Sequence, residues 1–159
     1  MKARSLVPRL LAPFAVVGAL ALAGCNMVAP QATLNHYDPA DGVGANLGDV
    51  LLRNVITVTN EDGSLGNITF TAVNEGEATK LHYAVPTADG KLVEGSLSIP
   101  PGSTLVGERK PHLIVVEGPD AIVGGLLPVT FQAGDSDSQT LLTPVLDNEG
   151  REYLDPLVP

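Results

Sequence analysis

The residues best equipped for chemistry in this chain are one cysteine, Cys25, and three histidines, His36, His82 and His112. Cys25 closes the run Leu22-Ala23-Gly24-Cys25, the pattern at which a lipoprotein signal peptidase cuts before a cysteine that then carries acyl chains. Being the only cysteine, it has no disulfide partner, and lipidation gives the thiol a use. Two acyl chains, each CH₂ contributing ~0.8 kcal/mol in a bilayer, hold a protein on a membrane stably. The imidazoles offer nitrogen ligands to copper or zinc. The third candidate, Asp135-Ser136-Asp137, presents oxygens that suit Ca²⁺. It lacks the further spaced ligands and the Glu of a calcium loop, so it reads as a turn.

These residues need elements to position them. Lys2, Arg4 and Arg9 precede an apolar stretch from Leu10 to Ala23, too short to span a bilayer. Residues 1–24 therefore read as a lipoprotein signal peptide. Residues 25–48, rich in Pro, Gly, Asn and Asp, read as a lipidated flexible tether, with His36 solvated beside Tyr37 and Asp38. Strand patterns punctuated by turns then recur through residues 49–147, and residues 148–159 read as a loose tail. The run Asn67-Ile68-Thr69-Phe70-Thr71-Ala72-Val73-Asn74 alternates apolar and polar side chains, as a half-buried strand does. Asp89-Gly90, between two such runs, is a hairpin signal.

In Lys80-Leu81-His82-Tyr83-Ala84-Val85 the period of two puts Leu81, Tyr83 and Val85 on one face, and His82 on the other with Lys80 and Ala84. His112 heads the apolar run His112-Leu113-Ile114-Val115-Val116, which reads as a strand buried on both sides. No helical stripe appears after the signal segment. Seven or so short strands around one core predict an all-β fold, a single antiparallel β-sandwich of immunoglobulin-like or cupredoxin-like kind. With no tryptophan, it lacks the buried ring of antibody domains.

Removal of residues 1–24 leaves six basic residues against 18 acidic ones, a formal charge of −12. Such a surface repels nucleic acid and anionic headgroups, so no nucleic-acid partner is expected. Catalysis is not expected either. No Gly-x-Ser-x-Gly elbow is present, the cysteine is committed to lipid, and the serines fall mostly in turns.

Two family resemblances enter on short motifs. Ser98-Ile99-Pro100-Pro101-Gly102-Ser103, then His112-Leu113-Ile114-Val115-Val116-Glu117-Gly118, then Leu127-Pro128-Val129-Thr130-Phe131 together resemble the extracytoplasmic PCu(A)C copper chaperones (the DUF461 family). That resemblance implies a cupredoxin-like sandwich and a Cu(I) site of two His and two Met. The family's histidines fall on His82 and His112, and its methionines on Val93 (or a near neighbour) and Ile114. Cu(I) is a soft ion, and replacing both thioethers removes the sulfur that selects it. At most a two-His site remains, for Cu(II) or Zn²⁺, with help from Glu94 or water. The lipobox, the segment Tyr37-Asp38-Pro39-Ala40-Asp41-Gly42 and Arg53-Asn54-Val55 are similar to the LpqE-like lipoproteins of actinobacteria, a family that implies location and fold more than mechanism.

Two expectations follow. The first is a non-enzymatic lipoprotein of the cell membrane, facing outward on its Cys25 lipid, whose sandwich holds an unidentified envelope partner. The alternative is a copper or other metal carrier working through His82 and His112.

Overall fold

Alternation of side chains along the chain builds the strands, and the register between strands decides which face each side chain takes. The computed structural model describes residues 40–159. Cys25, Met27, His36, the signal segment and the tether up to residue 39 lie outside the described residues. The strands are β1 (Val43–Leu47), β2 (Val50–Thr59), β3 (Leu65–Asn74), β4 (Thr79–Pro86), β5 (Leu92–Ile99), β6 (Gly102–Val106), β7 (Val115–Glu117), β8 (Leu126–Ala133) and β9 (Gln139–Leu146). A short 3₁₀ helix, Glu152–Leu157, follows them.

The chain is all-β. One antiparallel layer runs β5-β4-β8-β9, and the other is built on β2 and β3 with β1, β6 and β7 beside them. In β8, Leu127, Val129, Phe131 and Ala133 are buried, whereas Leu126 and Pro128 face out. The rings of Phe70 (β3) and Phe131 (β8) meet edge to face across the layers, centroids 5.4 Å apart. That T-shaped contact joins the two inner faces. Asp38–Pro159 forms one compact unit, and the core of its described part is closed by its own residues.

The expected sandwich is present, with four differences. The layers are not wholly antiparallel: β9 runs parallel to β2 at two rungs, Thr57 opposite Val145 and Val58 opposite Leu146. A short chain-closing contact of this kind leaves no trace in alternation. Next, β1 lies inside the span 25–48 expected to be tether. It is held by a side-chain device more than by its own pattern. Asn54, at a bulge in β2 with φ of 53°, accepts the Gly42 N–H on Oδ1 at 2.8 Å. A Cβ at Gly42 would stand 2.6 Å from the Asn54 carbonyl carbon, so only glycine allows the approach.

The third difference is residues 148–159, expected to be loose. Leu154 is fully buried against Ile56 and Val58, and Asn67 Nδ2 donates to the Leu157 carbonyl at 2.8 Å. A single buried leucine plus side-chain-to-backbone bonding is invisible to a helical-period search. Finally, the run His112–Val116 is not a doubly buried strand. Only Val115–Glu117 pairs, with Val116 inward and Val115 exposed, because β7 lies along the end of β3 with one face open to solvent.

Candidate functional site

His82 lies in the middle of β4, opposite Ser96 of β5 on one side and Gln132 of β8 on the other. Directly opposed residues share a face. The outer face of this layer therefore carries His82, Ser96 and Gln132 in one row and Ala84, Glu94 and Thr130 in the next. His82 and Glu94 line an open concavity of about 300 Å³ together with Thr130, Gln132 and Ser138. As the alternation predicted, His82 is exposed while Leu81 and Val85 are buried. Beneath it, the Tyr83 ring covers Gly95 so closely that any Cβ there would collide with the Tyr83 hydroxyl. This packing fixes the pairing of β4 and β5, and so the side-by-side placement of His82 and Glu94.

His112 is placed differently. It sits in the loop before β7, half-buried, with Nε2 3.2 Å from the Ser98 carbonyl oxygen. A carbonyl only accepts, so Nε2 carries the proton and donates. In neutral His112 that leaves Nδ1 as the lone-pair nitrogen. Ser98 lies opposite Lys80, two residues along the ladder from the His82–Ser96 pair, a displacement of about 7 Å. His112 is not among the residues lining the concavity around His82. Ile114 is packed in the core, and Val93 is half-buried against it. Among the described residues, no three His, Cys, Asp or Glu side chains gather closely enough to hold a metal ion. Asp135, Ser136 and Asp137 lie in the β8–β9 turn, where the Ser136 N–H donates to the Ala133 carbonyl at 2.9 Å.

The outer face has a second feature, which sequence reading missed. Pro86 stands opposite Leu92, and Leu142 opposite Pro128. The β4–β8 register runs from Leu81 and Ala133 to Ala84 and Thr130; beyond it the loop before β8 takes that edge of β4, with Pro119 opposite Thr87 and the Asp120 N–H donating to the Pro86 carbonyl at 3.1 Å. Two apolar groups therefore stand apart on this face: Leu92 with Pro86 on β5 and β4, and Pro128 with Leu142 on β8 and β9, where Leu126 and Pro144 form the next row. Leu92, Leu126 and Leu142 are 60%, 58% and 54% exposed. The loop before β8 adds Ile122, 80% exposed, and Val123. The signal was present in the alternation but could be seen only with the strand order in hand.

Fold and site together define an all-β, cupredoxin-like sandwich whose outer sheet face pairs a polar hollow with an apolar patch on β8 and β9. No protein-family model matches the chain, and no curated protein matches it. Among solved structures it is similar to the apo PmoF2 PCuAC domain, at 12% identity and a TM-score of 0.49 over 66% of this chain and 95% of that one. It is also similar to the copper-bound PCuAC domain from PmoF2, at 11% identity and a TM-score of 0.41 over 66% of this chain and 98% of that one.

Proposed function

We propose that this chain is a non-enzymatic binding module of the bacterial cell envelope, tethered to the outer side of the membrane by lipid on Cys25 and holding a protein partner. The observation that carries the reading is the apolar patch on the outer face of β8 and β9. Leu126 and Leu142, each more than half exposed beside Pro144 and Pro128, are surface that water does not favour, and such patches mark interaction sites. Nothing in the core requires them to point outward, because the inner face of the same strands closes the core without them.

The test is photocrosslinking in intact cells, with a photoreactive side chain placed at Leu142 or, as control, at Leu105 on the opposite layer. A discrete adduct from position 142 and none from 105 supports the module. Identical smears, or no adduct, sink it. The anchor has its own check: wild type partitions into detergent and labels with palmitate, and Cys25→Ala does neither.

A second reading, carriage of copper or another metal through His82 and His112, is favoured by one observation. His82 and Glu94 open together into the concavity on the outer face. The donor set is nitrogen and oxygen, which suits Cu(II) or Zn²⁺ better than Cu(I). Titration of the Asp38–Pro159 unit with Cu(I) under chelator competition, then with Cu(II) and Zn²⁺, separates the readings. Tight one-to-one binding lost in both His82→Ala and His112→Ala establishes the carrier, and binding no tighter than micromolar retires it.

A further inference from the structure

We infer that the free edge of β5 is a strand-addition site, which takes an extended segment of another protein as a further antiparallel strand of the β5-β4-β8-β9 layer. This surface is distinct from the β8–β9 patch, so the two readings can fail separately. β5 ends its layer, with β4 on one side and no strand on the other among the described residues. Three bonds tell which main-chain groups face the open side. The Lys91 carbonyl accepts from the Thr87 N–H at 2.9 Å, so Lys91 points to β4. The carbonyls of Pro86 and Lys80, which stand opposite Leu92 and Ser98, instead accept from Asp120 and Gly134 on the far side of β4. Opposed residues of an antiparallel pair turn toward each other or away from each other in alternation. Leu92, Glu94, Ser96 and Ser98 therefore turn their N–H and C=O outward. His112 agrees from the other side, because its Nε2 reaches the Ser98 carbonyl. That ring and Pro100-Pro101 close one end of the edge, and the Asp89-Gly90 turn closes the other. Between them Leu92, Glu94 and Ser96 each offer a main-chain donor and acceptor with no partner among the described residues.

The edge lacks most of the devices that keep sheet edges from pairing. Its register with β4 runs through eight rungs without a shift, whereas β1 carries a bulge against β2 and β6 is five residues long. No proline interrupts Leu92–Ile99, and Glu94 is its one charged residue. A row of alternating N–H and C=O groups is matched by an extended main chain. The side chains of that segment are selected by the two faces. Residues opposite Val93 and Gly95 would face inward, where Val93 packs against the core and a hollow bordered by Leu92, Val93, Glu117 and Gly118 stands open. Apolar side chains there extend the burial. Residues opposite Leu92, Glu94 and Ser96 would share the outer face with His82 and stay wet. The occupant is thus about seven residues, apolar at alternate positions and free of proline where it bonds. A second copy of β5 fits less well. The register that pairs all three outward residues with one another sets Leu92 against Ser96 and Glu94 against Glu94, and like charges directly opposed destabilise a pair.

The experiment follows amide hydrogen exchange by NMR in the Asp38–Pro159 unit, titrated with the synthetic peptide Lys-Thr-Val-Thr-Val-Thr-Lys. The peptide is used unmodified, N-methylated at its threonines, or N-methylated at its valines. In the free unit the amides of Leu92, Glu94 and Ser96 should exchange fast, and those of Val93 and Gly95 slowly. The unmodified peptide should slow the outward three at least roughly tenfold. In an antiparallel pairing with valine inward, the threonine N–H groups bond β5 and the valine N–H groups point away. The valine-methylated peptide should therefore act like the unmodified one, and the threonine-methylated peptide, with the same charges and side chains, should not act at all. Ser96→Pro removes an outward N–H, leaves the bonds to β4 in place and should abolish the effect. Leu142→Ser, on the other surface, should leave it unchanged. No slowing by the unmodified peptide, equal action of the two methylated peptides, or full action on Ser96→Pro overturns the inference. Slow exchange of the outward amides without peptide overturns it too, assigning the edge to a second copy if protection grows with concentration and to the chain itself if it does not. A Leu142 adduct in cells with no peptide effect removes this inference and leaves the binding module standing.

Discussion

At the seam between the two layers, two threonines share a single line of protons. Thr143 Oγ1 donates to the Leu127 carbonyl at 3.0 Å, so its one proton is committed, and the 2.7 Å contact with Thr57 must be donated by Thr57. Both hydroxyls are fully buried. The substitutions are therefore unequal although the shapes match. Thr57→Val leaves Thr143 bonded, at a cost of about 1 kcal/mol. Thr143→Val strands the Thr57 hydroxyl and strips a donor from Leu127, and should cost about 2–3 kcal/mol in urea unfolding. A second prediction concerns pH. The Tyr153 hydroxyl donates to Asp41 Oδ2 at 2.8 Å, and that bond, helped by the nearby carboxylate charge, raises the phenol above its usual 10.0. A raised value means the contact contributes fully below pH 10.0 and is lost as pH climbs through the higher folded value. Phenolate absorbance should show a step above pH 10.0, and Tyr153→Phe should remove it. Of these residues, the outward face of His82 could be read from the period of two. The bond from His112 to Ser98 could not, because it joins a loop to a strand edge that only the folded chain brings together.

Among the elements, those recognised in sequence share a property that the missed ones lack. β3, β4, β5, β8 and β9 are eight or more residues long, enough for alternation to repeat. β1 and β6 are five residues each, too short for a pattern to rise above chance, and β7, read as the longer run His112–Val116, is only three residues. Asp41-Gly42 and Arg53-Asn54-Val55, singled out as separate motifs, turn out to be two sides of one clasp. Gly42 bonds Asn54, Asp41 receives Tyr153, and Arg53 Nη1 reaches the Leu52 carbonyl at 2.8 Å and that of Ala45 at 3.2 Å. The terminal 3₁₀ helix works in the same structural way. Leu154→Ala should cost about 2–4 kcal/mol by leaving a hole over Ile56 and Val58, measured as a lowered midpoint in thermal unfolding. An unchanged midpoint would mean that the segment is as loose as its composition suggested.

For the whole molecule, the fold class could be read because β-branched and alternating runs recur through the domain. The order of strands could not, because pairing partners are chosen by long-range burial. The outer end of β4 is the plainest case: Pro86 has Leu92 on one side and Asp120 on the other, neighbours that no alternation along the chain announces. The same order bears on how the chain is made. β2 is among the earliest strands to be synthesised, yet its parallel partner is β9, and Ile56 and Val58 wait still longer for Leu154. A chain threaded outward from its amino end would expose that unfinished edge until almost its last residues arrive. Chains stalled before Gln139 should be open to protease within β2, and chains released past Leu154 should be closed to it. Assembly is thus timed by the carboxyl end, so under the proposed lipid anchor a chain would be secured before it is whole.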